Sequence, residues 1–240
     1  KTPPYLDLDA YFPEHKILEE NWRGIKKEIL SVIKSESRLP KFHEVDNGQE
    51  YISDNDGIEW SLLNLKIYDM WHSKNKKLCP KTSLILKDMK SVKSAYFSIL
   101  SPGKHIPPHT GPYKGILRYQ LALSVPKEGD CKIFVDGTPH FWKEGESVLF
   151  DDTFVHEVVN NTKEKRIALL IDVKRPISGF FMIYDWFVSN LIRILIVLNN
   201  SFSKSIWEVF IIIPVGLSIP SPTTGTNIDK LQLKALRISS

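Results

Sequence analysis

Cysteine is nearly missing from this chain. Cys79 and Cys131 are the only two in 240 residues; they form no CxxC pair and no disulfide framework, so a reducing, cytoplasmic setting is expected. A strong charge of one sign is also missing. Lys and Arg number 32 against 28 Asp and Glu, a formal balance of +4, which gives no case for a nucleic-acid partner and is compatible with an anionic substrate or a membrane surface. No stretch offers ~18 clean apolar residues, so a membrane-spanning helix is not expected. The chain opens at Lys1 with neither Met nor a secretory apolar segment, so part of the natural N-terminus is expected to precede it. No internal repeat is seen.

What is present organises into three parts. Residues 1–12 read as an extended lead-in with prolines. Pro13 then opens an amphipathic helix in which Ile17, Leu18, Trp22, Ile25, Ile29, Val32 and Ile33 recur at helical spacing. Residues 40–60 are polar and irregular, with turn signals at Asn47-Gly48 and Asp56-Gly57. A short strand is expected at Trp60–Tyr68 and a helix at Cys79–Met89, opened by Pro80.

The middle is strand country. Ala95–Ser101, Leu117–Val125, Cys131–Val135, Glu146–Phe150, His156–Val159 and Ile167–Val173 are short, rich in β-branched and aromatic residues, and separated by turns. Asp136-Gly137 predicts a hairpin of Cys131–Val135 with His140–Lys143. The pattern predicts a mainly β fold with flanking helices around a jelly roll, a cupin-like double-stranded β-helix. The domain expectation is an oxygenase-type unit at 1–176, with helices over 13–90 and the β-core over 91–176, and an apolar helical appendage at 177–240.

In that appendage, 180–198 and 206–219 are heavily apolar but broken by Asp185, Arg193, Glu208 and Pro214. Two readings stand: a helical pair lying on a membrane or partner through 180–219, or a cover for the β-core. The tail from Ser221 is polar.

Seven histidines are available, and His15, His43, His72 and His140 sit in ordinary surroundings. His105 and His109 are four apart, but Pro107 and Pro108 forbid a helix between them. Extended, that interval spans ~13 Å, so only one of them can serve a given ion. His109 precedes a Thr-Gly-Pro turn and a strand carrying Arg118 and, on the same side, Gln120. His156 follows a DDTF turn and begins a strand. Together they form a candidate metal pair of a kind that suits Fe(II). No third His or Cys completes a zinc site. Arg166 heads the apolar strand RIALLIDV and needs an anionic partner: a bound carboxylate, or Glu157 or Asp172. Ser98 is a candidate hydroxyl donor. Asp151 and Asp152 are possible substitutes for a carboxylate ligand, but read more as turn residues or as residues that support the ligands.

Ordered blocks carry a resemblance. FSILSPG from Phe97, PHTGPYKGILRY from Pro108, PKEGDCKI from Pro126, WKEGE from Trp142, FDDTFVHEV from Phe150 and RIALLID from Arg166 resemble the aspartyl/asparaginyl β-hydroxylase family over about 79–176. YLDLD from Tyr5 and LCPKT from Leu78 resemble its bacterial branch, which includes lipid A hydroxylases. The resemblance implies an oxygenase that uses Fe(II), 2-oxoglutarate and O2 to hydroxylate an unactivated C–H bond. His109 and His156 match the iron ligands, and Arg166 matches the arginine for the distal carboxylate of 2-oxoglutarate. Arg118 and Ser98 match further co-substrate contacts. Gly111 stands where other oxygenases supply a ligand carboxylate; peptide-modifying members share that glycine, which tilts the expectation toward a peptidyl Asp or Asn substrate. A lipid acyl chain is the rival substrate. Gln120 departs from the usual histidine; it is expected to contact the co-substrate by donating a hydrogen bond to a carboxylate but cannot become cationic, and this keeps open a third reading, a 2-oxoglutarate-binding module without turnover.

Overall fold

The computed structural model describes residues 2–45, 50–111, 113–177 and 179–199. The expectations for Asn47-Gly48, 206–219 and the tail from Ser221 fall outside the described residues.

The first third is mostly helical. α1 (Leu8–Tyr11), α2 (His15–Glu20) and α3 (Trp22–Ser35) replace the single helix expected from Pro13. The break is at Asn21, whose φ of −98° and ψ of 3° leave the helical well, and whose side-chain amide donates to the Ile17 carbonyl at 2.9 Å. Side chains of Asn favour this local bond over a helix interior. The apolar stripe persists across the break, with Leu18, Ile25 and Ile29 fully buried. The polar 40–60 region contains two single-turn helices, α4 (Phe42–Val45) and α5 (Glu50–Ser53). β1 (Trp60–Ile67) follows and turns back through Tyr68 and Asp69, both at positive φ, into β2 (Met70–Trp71). α6 (Ser73–Leu78) precedes α7 (Pro80–Lys87), which has Pro80 in its first turn as expected.

The β-core then runs β3 (Val92–Leu100), β4 (His105–His109), β5 (Ile116–Ser124), β6 (Asp130–Val135), β7 (Thr138–Phe141), β8 (Ser147–Phe150), β9 (His156–Asn161) and β10 (Arg166–Lys174). The expected strands appear within a few residues of their predicted ends. Asp136 (φ 51°) and Gly137 (φ 74°) make the β6–β7 hairpin in the left-handed region where glycine carries no penalty. All pairings are antiparallel, in a six-stranded sheet ordered β2-β1-β3-β10-β5-β8 and a four-stranded sheet ordered β4-β9-β6-β7. This is the jelly roll.

Two strands were not expected from sequence, the two-residue β2 and β4. The prolines of β4 cannot donate to a ladder, and they are accommodated because β4 lies at a sheet edge with a register shift between Ile106 and His109. Past that shift His109 pairs directly with His156.

Side-chain alternation gives the large sheet two unlike faces. Leu65, Phe97, Tyr119, Leu121, Leu169 and Ile171 form the outer face, packed beneath helices through Phe12, Leu18, Ile25 and Ile29. The inner face meets the small sheet, and there Leu62, Leu100, Ala122 and Phe150 share a core with Ile133, Val135 and Val158. At ~25 cal/mol per Å² of apolar area, such a double core supplies most of the stabilisation. Ser98, Arg118, Gln120 and Arg166 share strand parity with this inner face.

α8 (Phe180–Asn199) is a single helix. Its Val188 and Ile192 are buried against Tyr113 and Ile116, and Asp185 accepts from the Tyr113 hydroxyl at 2.6 Å. Among the described residues no helix is long and apolar enough to cross a membrane.

Candidate metal and anion site between the sheets

The small sheet delivers the two imidazoles. His109 ends β4, His156 begins β9, and their ring centroids are 4.1 Å apart. Each Nδ1 lies against the carbonyl two residues earlier: His109 with Pro107 at 2.8 Å and His156 with Phe154 at 3.0 Å. A carbonyl accepts only, so both rings carry the proton on Nδ1 and turn Nε2 to the site. Among the described residues no hydrogen bond engages either Nε2. Burial holds His109 down to about 4 and, together with the neighbouring ring, holds His156 well below the usual histidine range. Both are therefore neutral at pH 7, the state a metal requires.

Beside them lies a carboxylate. Gly111 follows His109 by two residues, and a Cβ placed on it would stand 2.3 Å from Asp152 Oδ2. The Asp152 carboxyl fills the space that a side chain at 111 would need. It is 1% exposed, and its Oδ1 has no hydrogen-bond partner. Burial pushes Asp152 up to about 6 against the pull of Arg118. Arg118 Nη2 donates to Asp152 Oδ2 at 3.2 Å, and its Nε is 3.0 Å from Asp172 Oδ1, an ion pair without hydrogen-bond alignment. Tyr96 completes the group, donating to Asp172 Oδ2 at 3.0 Å. These carboxylates hold the Arg118 guanidinium above its ordinary range. Among the described residues no cluster of three His, Cys, Asp or Glu side chains could hold an ion, so the histidines stand as a pair.

Arg166 occupies different ground. It is 2% exposed, its Nη2 donates to Gln120 Oε1 at 2.5 Å, and its guanidinium lies 4.1 Å from the Trp142 ring centroid. No carboxylate pairs with it among the described residues. Of the two protein partners weighed from sequence, Glu157 is engaged by His105 Nε2 at 2.9 Å and Asp172 by Arg118 and Tyr96. Arg166 Nε and Trp142 Nε1 are both buried donors without acceptors. Burial lowers Arg166 to about 10, which leaves it charged at neutral pH. A planar anion satisfies such a fork best. Ser98 lies on the neighbouring strand, 1% exposed, its Oγ accepting from Trp60 Nε1 at 3.0 Å.

His109, His156, Arg166, Arg118, Gln120 and Ser98 therefore all come from strands that line the inter-sheet space, but not in equivalent roles. His109, His156 and Arg166 keep unengaged atoms there, whereas Arg118 is already held by two carboxylates. His105 faces Glu157 and His72 caps α6 by accepting from Asn75 N at 3.3 Å, so neither joins the pair. Sequence reasoning missed Tyr96 and Trp142. Tyr96 had a signal, since it shares strand parity with Ser98; Trp142 had one too, since it heads the WKEGE block of the family resemblance.

A model of the aspartyl/asparaginyl beta-hydroxylase family matches residues 19–176. The chain belongs to that family. A Rhizobium tropici protein described as an ornithine lipid ester-linked acyl 2-hydroxylase is 34% identical over 191 residues, covering 79% of this chain and 67% of that protein. The human aspartyl/asparaginyl beta-hydroxylase is 34% identical over 171 residues, covering 67% of this chain and 21% of its own length. A Xenopus tropicalis aspartate beta-hydroxylase domain-containing protein 2 is 29% identical, covering 73% of this chain and 48% of that protein. The chain thus spans about two thirds of the bacterial relative and a fifth of the human one.

Proposed function

We propose that this hydroxylase-family chain depends on Fe(II) and 2-oxoglutarate and hydroxylates an unactivated C–H bond. One arrangement carries the reading: two neutral imidazoles with unengaged Nε2 atoms, and a buried guanidinium with no carboxylate partner, facing one inter-sheet space. His109 and His156 hold the iron through Nε2, with the carbonyls of Pro107 and Phe154 fixing both tautomers. Arg166 takes the distal carboxylate of 2-oxoglutarate, while Gln120 steadies its fork by accepting from Nη2. Trp142 lies beneath the same cation and keeps water from it. Ser98 borders the co-substrate. Arg118 acts by position, keeping Asp152 and Asp172 compensated beside the metal pair. When bound, the iron with 2-oxoglutarate and O2 supplies the oxidising power that converts C–H to C–OH, releasing succinate and CO2.

The substrate assigned first is a peptidyl Asp or Asn side chain, following the family's name and Gly111. A lipid acyl chain is the second reading. It is favoured by the long match to a relative described as an acyl hydroxylase and by the apolar outer face of α8.

The deciding experiment adds Fe(II) and 2-oxoglutarate without oxygen and follows the visible charge-transfer absorption. O2 is then admitted with peptide or lipid present, and succinate is measured. Wild type should give both signals, His156→Ala neither, and Arg166→Ala a much weakened absorption. A wild type that forms the complex yet yields no succinate with either substrate class would be a binding module.

A further inference from the structure

α8 has two faces. Asp185, Val188, Ser189 and Ile192 are buried against the β-core, Ile192 at 2% exposure. The opposite arc, roughly 140° wide at helical spacing, presents Met182, Ile183, Trp186, Phe187 and Ile194, each more than half exposed. Asn190 lies within that arc, but its side-chain amide is turned back onto the Trp186 carbonyl at 2.7 Å. Five large apolar groups in one patch are unusual on a surface meant for water.

The border of this arc is cationic. Lys93, Lys174 and Arg193 line a cavity of about 150 Å³ that also touches Trp186. Two carboxylates share it and both are engaged: Asp69 lies 3.0 Å from Lys66 and 3.8 Å from Lys93, while Asp185 accepts from Tyr113 and lies 3.8 Å from Lys174. Arg193 has no carboxylate partner among the described residues. Aromatic side chains over an apolar arc, with cations at its rim, match the layering of a phospholipid surface, in which ring and methyl groups enter the acyl boundary and phosphates meet the cations.

We infer that the outer face of α8 seats the protein on an anionic phospholipid surface, with Trp186 and Phe187 inserted and Arg193 against lipid phosphate. The buried face ties that contact to the catalytic side of the fold, because Tyr113, bonded to Asp185, belongs to the loop that follows His109. The inference stands apart from the oxygenase reading, since lipid contact here requires neither metal nor co-substrate.

The test is flotation of the purified full chain, without iron or 2-oxoglutarate, with vesicles of phosphatidylcholine alone or containing phosphatidylglycerol. Wild type should float with the anionic vesicles. The double substitution Trp186→Glu/Phe187→Glu, both at exposed positions, should lower binding by about tenfold or more at unchanged thermal midpoint. Arg193→Gln should remove only part of the phosphatidylglycerol dependence. Three outcomes overturn the inference. Wild type could stay at the bottom of both gradients. The double variant could float like wild type, which would move attachment to another segment. Size exclusion could show a wild-type dimer that the double variant dissolves, with no flotation, which would make the patch a contact between copies.

Discussion

The inner face of the large sheet carries two arginines that live in opposite ways. Arg118 sits against Asp152 and Asp172, its charge met by protein. Arg166 is the more deeply buried of the two, 2% exposed against 23% for the Arg118 side chain, yet it meets only an amide oxygen and an indole face. The desolvation cost is larger for Arg166, yet only Arg118 recovers its own through carboxylates of the fold. The contrast separates an arginine paired by the protein from one that is not. The first holds carboxylates in place near the histidine pair; the second has no carboxylate partner among the described residues, and the proposed function gives it the co-substrate's.

Substitution by methionine, which keeps length and removes charge, should split the two. Arg118→Met leaves Asp152 and Asp172 buried without a cation, and urea unfolding should show a loss of about 3–5 kcal/mol. Arg166→Met should do the reverse. Unfolding should be unchanged or slightly harder, while the 2-oxoglutarate Kd weakens by about 100-fold in calorimetry. Equal destabilisation by both variants would erase the distinction. The smallest effect concerns acid. Burial depresses His109 and His156, so the stability each contributes is fully present above the unfolded value of 6.5 and is lost as pH falls, through about 4 for His109. The metal-free protein should therefore unfold at lower urea at pH 4.5 than at pH 7, and His109→Gln should flatten that slope.

Much of this was legible beforehand, for identifiable reasons. Strand alternation put Arg118 and Gln120 on one side, and the Asp-Gly pair fixed a hairpin, because both are local rules of the backbone. The two candidate histidines were legible because His109 and His156 stand at strand ends beside turn signals, and the fold sets them side by side. What stayed hidden depends on partners distant in sequence. Nothing near Arg118 announces its ion pair with Asp152, and although Asp152 stood as a possible substitute carboxylate, only the fold puts its carboxyl where a side chain at Gly111 would stand. The edge strand through Pro107 and Pro108 is invisible to a propensity rule that removes proline from sheets. Asn21 divides a helix whose apolar stripe runs on unbroken, so periodicity alone joins what the backbone separates.

The bond between Tyr113 and Asp185 sets where the working unit ends. The family match stops at 176, yet the loop leaving His109 is pinned by a helix whose buried side chains continue to Ile192. A fragment trimmed at the family border would keep every candidate ligand and lose the clamp on the first of them. Its histidines would be present in composition and slack in space, and weak iron retention by such a fragment would report the missing helix rather than a missing ligand.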